Sequence, residues 1–282
     1  HVDLAHTLPT DDSDYTGNRE DRIRVWREDL AEAVSWEDLG VPYWVEDTVK
    51  LSGTAVSPAT LTIGPGTVLL FAENKGIIVG ASGGGAGLLV QGTDTARVRF
   101  GAAAAERRGS WGQVEVVEGV LPDALQLDYL TMEHGGGKGA AMLEFGASTL
   151  RFTDLRLEHC QGAGLGGRYR GRIDSPGQTV LVHDCDQSIF IAAHTLTDLS
   201  DLTLDLADNV LDGVPDDSIH VTARNAEQAV VSESGVWRNF GVPYIVEESI
   251  LLRGTAVLPA DVHIEGGTEL RYLSHIWVRK AF

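Results

Sequence analysis

Leu130-Thr131-Met132-Glu133-His134-Gly135 is followed 25 residues later by Leu155-Arg156-Leu157-Glu158-His159-Cys160, and after another 25 by Val180-Leu181-Val182-His183-Asp184-Cys185. A further 24 residues bring Leu204-Asp205-Leu206-Ala207-Asp208-Asn209. Each segment alternates, so Leu155 and Leu157 face one side of a strand and Arg156 and Glu158 the other. Second short runs follow at Ala141-Met142-Leu143, Ile189-Phe190-Ile191 and Ile219-His220-Val221. A strand, a turn, a second strand and a turn at this period make one rung of a solenoid. Hairpin sandwiches place strands every 8 to 12 residues or so, without such recurrence. Leucine-rich repeats need an Asn-anchored consensus that this sequence lacks. A helical solenoid needs 3.6-residue periodicity, hinted at only between Arg22 and Val34. The spacing predicts an all-β chain folded as a parallel β-helix. With rungs about 4.8 Å apart, the chain makes roughly 11 rungs and a rod of about 50 Å.

A longer repeat encloses the short one. Residues 36–71 recur without a gap at 237–272, a constant offset of 201, with 18 of 36 positions identical. Roughly two or three identities would be expected by chance. Trp36 maps to Trp237, Gly40-Val41-Pro42-Tyr43 to Gly241-Val242-Pro243-Tyr244, and Gly66-Thr67 to Gly267-Thr268. A weaker alignment at offset 196 maps Gly17 to Gly213, Asp21 to Asp217, Ile23 to Ile219 and Val25 to Val221. The organisation read from this is the tail of a preceding unit at 1–35, one complete unit at 36–236, and the start of the next at 237–282. Pro42 and Pro243 suit strand starts, because proline cannot donate to a ladder. Gly64-Pro65-Gly66 suits a tight turn.

The motif Trp36, Gly40-Val41-Pro42-Tyr43, Leu61-Thr62-Ile63-Gly64-Pro65-Gly66-Thr67, with Gly92-Thr93, Val98-Arg99-Phe100 and Gly109-Ser110-Trp111-Gly112, resembles right-handed parallel β-helix repeat proteins of bacterial surfaces. Many of these are lipoproteins without an assigned function. The resemblance covers residues 36–272. In the second copy Pro65 is replaced by Gly266, and Leu61-Thr62-Ile63 by Val262-His263-Ile264. It implies an exported, surface-associated solenoid and supplies no catalytic residue.

Net charge is -19 with a pI of about 4.7. That argues against nucleic acid and anionic membranes as partners. Solubility is the plainest reading of the acidity, and divalent-cation binding the next. No apolar run is long enough to span a membrane. The two cysteines form no metal or redox motif. They do fall at one ladder position a rung apart, where Cα atoms lie near 5 Å, so a Cys160–Cys185 disulfide is expected, the alternative being an unbonded stack of buried thiols in the place that Asn209 takes on the next rung.

Three constellations could carry chemistry. The ladder His134, His159, Asp184, Asp208, flanked by Glu133, Glu158 and His183, stacks at about 5 Å, close enough for a metal or an acid/base pair. Against this, such residues also cap strand ends. Calcium is suggested by Asp12 and Asp14, which open an EF-hand-like run whose twelfth position is Ile23 rather than Glu. Asp212, Asp216 and Asp217 form a second acidic turn with Asp208. Turn chemistry accounts for both clusters. Polysaccharide-cleaving enzymes share the β-helix, and Arg168, Arg170 and Arg172 could hold an anionic sugar. An enzyme should show a groove of converging Asp, Arg or Lys side chains, and a stalk should not.

The reading that follows is a non-catalytic extracellular solenoid on the bacterial cell surface, serving as a stalk, fibre or adhesion module. Its partners are further copies, axial and head to tail, with carbohydrate as a further ligand. No cofactor is expected beyond calcium. The alternative is a polysaccharide lyase or glycoside hydrolase on the same fold.

Overall fold

The alternation read at 130–134 builds a parallel ladder. In a computed structural model, Met132 pairs with Leu157, Leu157 with Val182 and Val182 with Leu206. Leu130, Leu155, Val180, Met132, Leu157 and Val182 are fully buried, while Thr131, Arg156 and Leu181 form the outward row. The structure describes residue 8 and residues 14–26, 29–80, 84–168, 170–222, 230–254, 260–273 and 276–278.

Nearly every element is a short strand, and each turn of chain visits three sheets. Sheet I has eight strands, from Ile23–Val25 to Thr203–Ala207. Sheet II has ten, from Asp29–Leu30 to Leu270–Tyr272, and sheet III has six, from Val34–Trp36 to Arg172–Ile173. The fold is a parallel β-solenoid of about 9 turns of about 26 residues. That is fewer than the 11 expected, because some turns carry loops: Val98 pairs with Leu130, 32 positions on. The inward side chains of all three sheets fuse into one core. Trp111, fully buried, stacks on Phe71 at 4.7 Å, and its indole N–H donates to the Glu133 carbonyl at 2.6 Å.

The helical hint at 22–34 is overturned. Ile23–Val25, Asp29–Leu30 and Val34–Trp36 are strands, with Ile23, Val25, Leu30, Val34 and Trp36 turned into the core. The helix of the described residues is a 3-10 segment, Ala193–Asp201, between a sheet II strand and a sheet I strand. Leu196 and Leu199, three residues apart, both bury, as the three-residue turn of a 3-10 helix requires.

The tandem repeat is reproduced in the pairing. Trp36 pairs with Ile63 as Trp237 does with Ile264, Tyr43 with Leu69 as Tyr244 with Leu270, and Leu30 with Leu51 as Val231 with Leu252. Ile23 meets Tyr43 as Ile219 meets Tyr244. The five-residue change of offset therefore lies between Val25 and Asp29 in one copy and between Val221 and Val230 in the other. The turn at Gly64-Pro65-Gly66 survives loss of its proline. Gly66 and Gly267 have φ of 78° and 85°, the left-handed value that a type II turn demands at its third position.

The two copies do not share a face. Tyr43–Val45 lies in sheet I, but its equivalent Tyr244–Val246 lies in sheet II. The unit thus closes a third of a turn out of phase, and equivalent outward residues such as Trp44 and Ile245 look out from different sides. Sheet II runs unbroken through the junction between copies, and Val230–Val231 also pairs across it with Leu251 and Leu252; sheets I and III stop at Thr203–Ala207 and Arg172–Ile173.

One interior polar residue holds this region. Asn209 is fully buried, its Oδ1 accepting from the Cys185 N–H at 3.0 Å and its Nδ2 donating to the Val182 carbonyl at 2.9 Å. Asn209→Leu strands both backbone groups in the core. It is expected to destabilise the protein by about 2 kcal/mol, read from urea unfolding.

Candidate functional site

The ladder at the end of the sheet I strands is set by backbone conformation. His134, His159, Asp184 and Asp208 all occupy the left-handed region, with φ of 65°, 56°, 51° and 59°. Among non-glycine residues Asn, Asp and His enter that region most readily. The N–H of His134 donates to the Glu158 carbonyl and that of His159 to the His183 carbonyl, one rung on. The rings of His134 and His159 stack at 5.0 Å with an interplanar angle of 10°. Their lone pairs therefore lie in separate, nearly parallel planes, and one cation cannot lie in both planes at about 2.1 Å from each nitrogen. His159 Nδ1 lies 2.7 Å from Asp184 Oδ2, and Arg108 bonds both Asp184 and Asp186. Burial pushes the Asp184 carboxyl up, but the hydrogen bonds from His159 and Arg108 outweigh it and hold the group below its usual range. Burial, with the neighbouring His159, lowers His134. Glu133 is bound by Arg99 at 2.7 Å. The ladder is thus a stack and an ion pair at a turn.

The acidic clusters do not converge. Asp12 lies outside the described residues, and Asp14 Oδ1 accepts from the N–H and hydroxyl of Thr16. Asp212 sits at the exposed tip of the hairpin Val210–Leu211/Val214–Pro215. Asp217 caps Asn209, and Asp216 binds Ser218 and His220. Among the described residues no three His, Cys, Asp or Glu side chains gather as a metal site. Cys160 and Cys185 are joined by a disulfide, with Cα atoms 4.4 Å apart and both residues fully buried.

His220, on the outer face of sheet II, was not singled out by its motif. It is 7% exposed, with Nδ1 2.6 Å from Glu247 Oε1 and Nε2 3.0 Å from both Asp216 oxygens. Burial lowers its pKa, but hydrogen bonds to Asp216 and Glu247 prevail and raise it to about 9. The folded protein therefore holds an imidazolium at neutral pH, both nitrogens donating. A folded pKa above the unfolded 6.5 gives stability that is complete below pH 6.5 and lost as pH climbs through about 9. Unfolding midpoints recorded from pH 6 to 10 are expected to fall over that window, and His220→Gln to flatten the fall.

Sheet II also carries a groove of about 360 Å³ that the sequence did not announce. Ile78, Glu115 and Glu144 follow one another on its outward row. Glu144 is 5% exposed and accepts from Arg168 at 2.6 Å, and the Arg168 guanidinium lies 5.4 Å above the Phe190 ring. Phe190 in turn covers Gly166, where a Cβ would come within 2.4 Å of the ring. Lys75, bound to Asp47 at 2.5 Å, and Lys138 line the opposite side. Lys50 stands one rung before Ile78. Three of the four lysines thus gather on this face. That was a readable signal, hidden because the three are far apart in sequence. The arginines named from sequence separate: Arg168 lines this groove, while Arg170 and Arg172 line a second pocket with His194 and Arg253. Arg172 there is held by Asp198 and Glu233.

No helix of the described residues is long and apolar enough to cross a membrane. Compared with known proteins, the chain matches no family model, no curated protein and no solved structure.

Proposed function

We propose that the chain is a non-catalytic β-solenoid module of an extracellular stalk, fibre or adhesin, extended axially by further copies of its repeat. The observation that carries this is the sheet II ladder, which passes through the junction between copies without a break. Backbone hydrogen bonds are the joint, and a joint made by unlike ends of a unit is heterologous and open, the symmetry of a rod. The Cys160–Cys185 bond agrees with an oxidising compartment. Within the sheet II groove, Glu144 and Lys75 are committed to Arg168 and Asp47, an arrangement for holding shape more than for moving protons.

The groove itself favours the second reading, a polysaccharide lyase or glycoside hydrolase, because charged groups of both signs converge there. Electron microscopy of the purified protein, with mass spectrometry of a polysaccharide panel after prolonged incubation, separates the two. Elongated particles that associate end to end, with every polysaccharide intact, are the expected result. Shortened or unsaturated fragments would establish the enzyme, and compact particles that never associate would remove the rod.

A further inference from the structure

We infer that the open edge of sheet I at Thr203–Ala207 binds an extended basic segment of another polypeptide by strand addition. The edge lies apart from the sheet II ladder that joins the copies, and does not depend on it. In the pairing with Thr179–His183, the Thr203 N–H donates to the Gln178 carbonyl and the Asp184 N–H to that of Ala207. Thr203, Asp205 and Ala207 therefore turn their backbone groups toward that strand. The N–H and C=O of Leu204 and Leu206 point the other way, where no described strand pairs with them.

The strand that should follow is drawn aside. Gly235–Trp237, one turn later, pairs with Val262–Ile264 and leans on the 3-10 segment. A Cβ on Gly235 would lie 2.3 Å from Thr197 Cγ2, and Arg238 donates to the Ser200 and Leu202 carbonyls at 3.3 and 3.4 Å. The core shows the gap. Val180 and Val182 are fully buried, but Leu204 and Leu206, their register partners, are only half-buried. Leu211 and Val214 on the adjoining hairpin are 41% and 64% exposed. Natural edges are blunted by proline, lysine, a bulge or a covering loop. Thr203-Leu204-Asp205-Leu206-Ala207 carries neither proline nor lysine.

Three features define the occupant. Unpaired groups on alternate residues call for an extended backbone. Leu204 and Leu206 call for an apolar side chain at every second position, to continue the inward row. The third feature is charge. Residues 173–223 hold ten aspartates and no Lys or Arg, and Asp201, Asp205, Asp208 and Asp212 are exposed at or beside the strand. The outward positions of an added strand, next to Asp205, therefore favour Lys or Arg. A second copy of the chain fits poorly. Its net charge is -19, and its alternating basic runs, such as Arg22-Ile23-Arg24-Val25, already lie in sheet I.

The test is fluorescence anisotropy of a labelled hexapeptide alternating lysine and valine, titrated with the whole chain. Saturable binding at least tenfold tighter than that of the glutamate–valine peptide is expected. In the parallel register the added strand turns the backbone of its lysines to Leu204 and Leu206. N-methylation of the lysine amides should then weaken binding tenfold or more, and N-methylation of the valine amides should not. Asp205→Asn should weaken binding severalfold with little change in the unfolding midpoint, because the side chain is exposed. Hydrogen exchange followed by NMR reads the edge itself. In the free protein the Leu204 and Leu206 amides should exchange at least a hundredfold faster than those of Asp205 and Ala207, and they should slow when the peptide is bound. No saturable binding, equal binding of the two methylated peptides or of the lysine and glutamate peptides, or slow exchange of Leu204 and Leu206 in the free protein would each overturn the inference. Protection that rises with protein concentration alone would replace the basic segment by a second copy.

Discussion

Leu157→Asp is expected to destabilise the protein by roughly 4 kcal/mol or more, and to melt the rungs on either side of it. Leu157 is fully buried between Met132 and Val182, its register partners in the neighbouring turns. A carboxylate there finds no donor, since the inward row is apolar for several rungs in each direction. The cost is therefore that of burying an unpaired charge or of protonating it. In a solenoid each rung is held by its neighbours, so the damage is local before it is global. Hydrogen exchange should show amides of 130–133 and 179–183 losing protection ahead of those near Tyr43. Arg156→Gln, one residue away on the outer row, removes an ion pair with Asp154 that stands in solvent, and should cost below about 1 kcal/mol. Arg156→Asp is a poorer control than the alternation alone suggests, because it would set a carboxylate beside Asp154. Equal shifts for Leu157→Asp and Arg156→Gln would mean that the inward and outward rows are reversed.

How much of this was legible depended on how local the signal is. The inward ladder could be read because alternation is a property of five consecutive residues, and the period because the same residues recur at a fixed spacing. The rung count could not, since loops such as that between Ala102 and Val114 add length without adding a turn. The third-of-a-turn phase was also beyond reach. It depends on the number of strands between Tyr43 and Tyr244, including a 3-10 segment standing where a strand would otherwise lie. The ladder of His134, His159, Asp184 and Asp208 was found at the right places but suggested chemistry, because the residues that tolerate a left-handed backbone are the same ones that bind metals and move protons. The sheet II groove was missed for the opposite reason. Lys75, Glu115, Lys138 and Glu144 sit at unequal spacings, and a loop of irregular length brings Lys138 over the groove.

Removal of the Cys160–Cys185 bond should show the second large effect, a loss of about 3 kcal/mol in Cys160→Ala/Cys185→Ala. The bond closes a loop of one rung, its ends 25 positions apart in sequence, and so limits how far the unfolded chain can open. Both thiol positions are fully buried within the core column that Asn209 continues on the next rung. Two alanines of smaller volume add a cavity term to the loss of the cross-link. Reductant separates these contributions. Wild-type protein unfolded in urea with reductant should lose the cross-link share alone, while the double variant should be indifferent to reductant and somewhat less stable than reduced wild type. Intact mass should rise by two hydrogen atoms on reduction, the reductant supplying the two electrons, and no thiol should alkylate in the native protein. Two alkylatable thiols before reduction would remove the bond from the account, and with it the one covalent support for an oxidising compartment. A double variant as stable as wild type would show instead that stacked rungs hold this column without a cross-link.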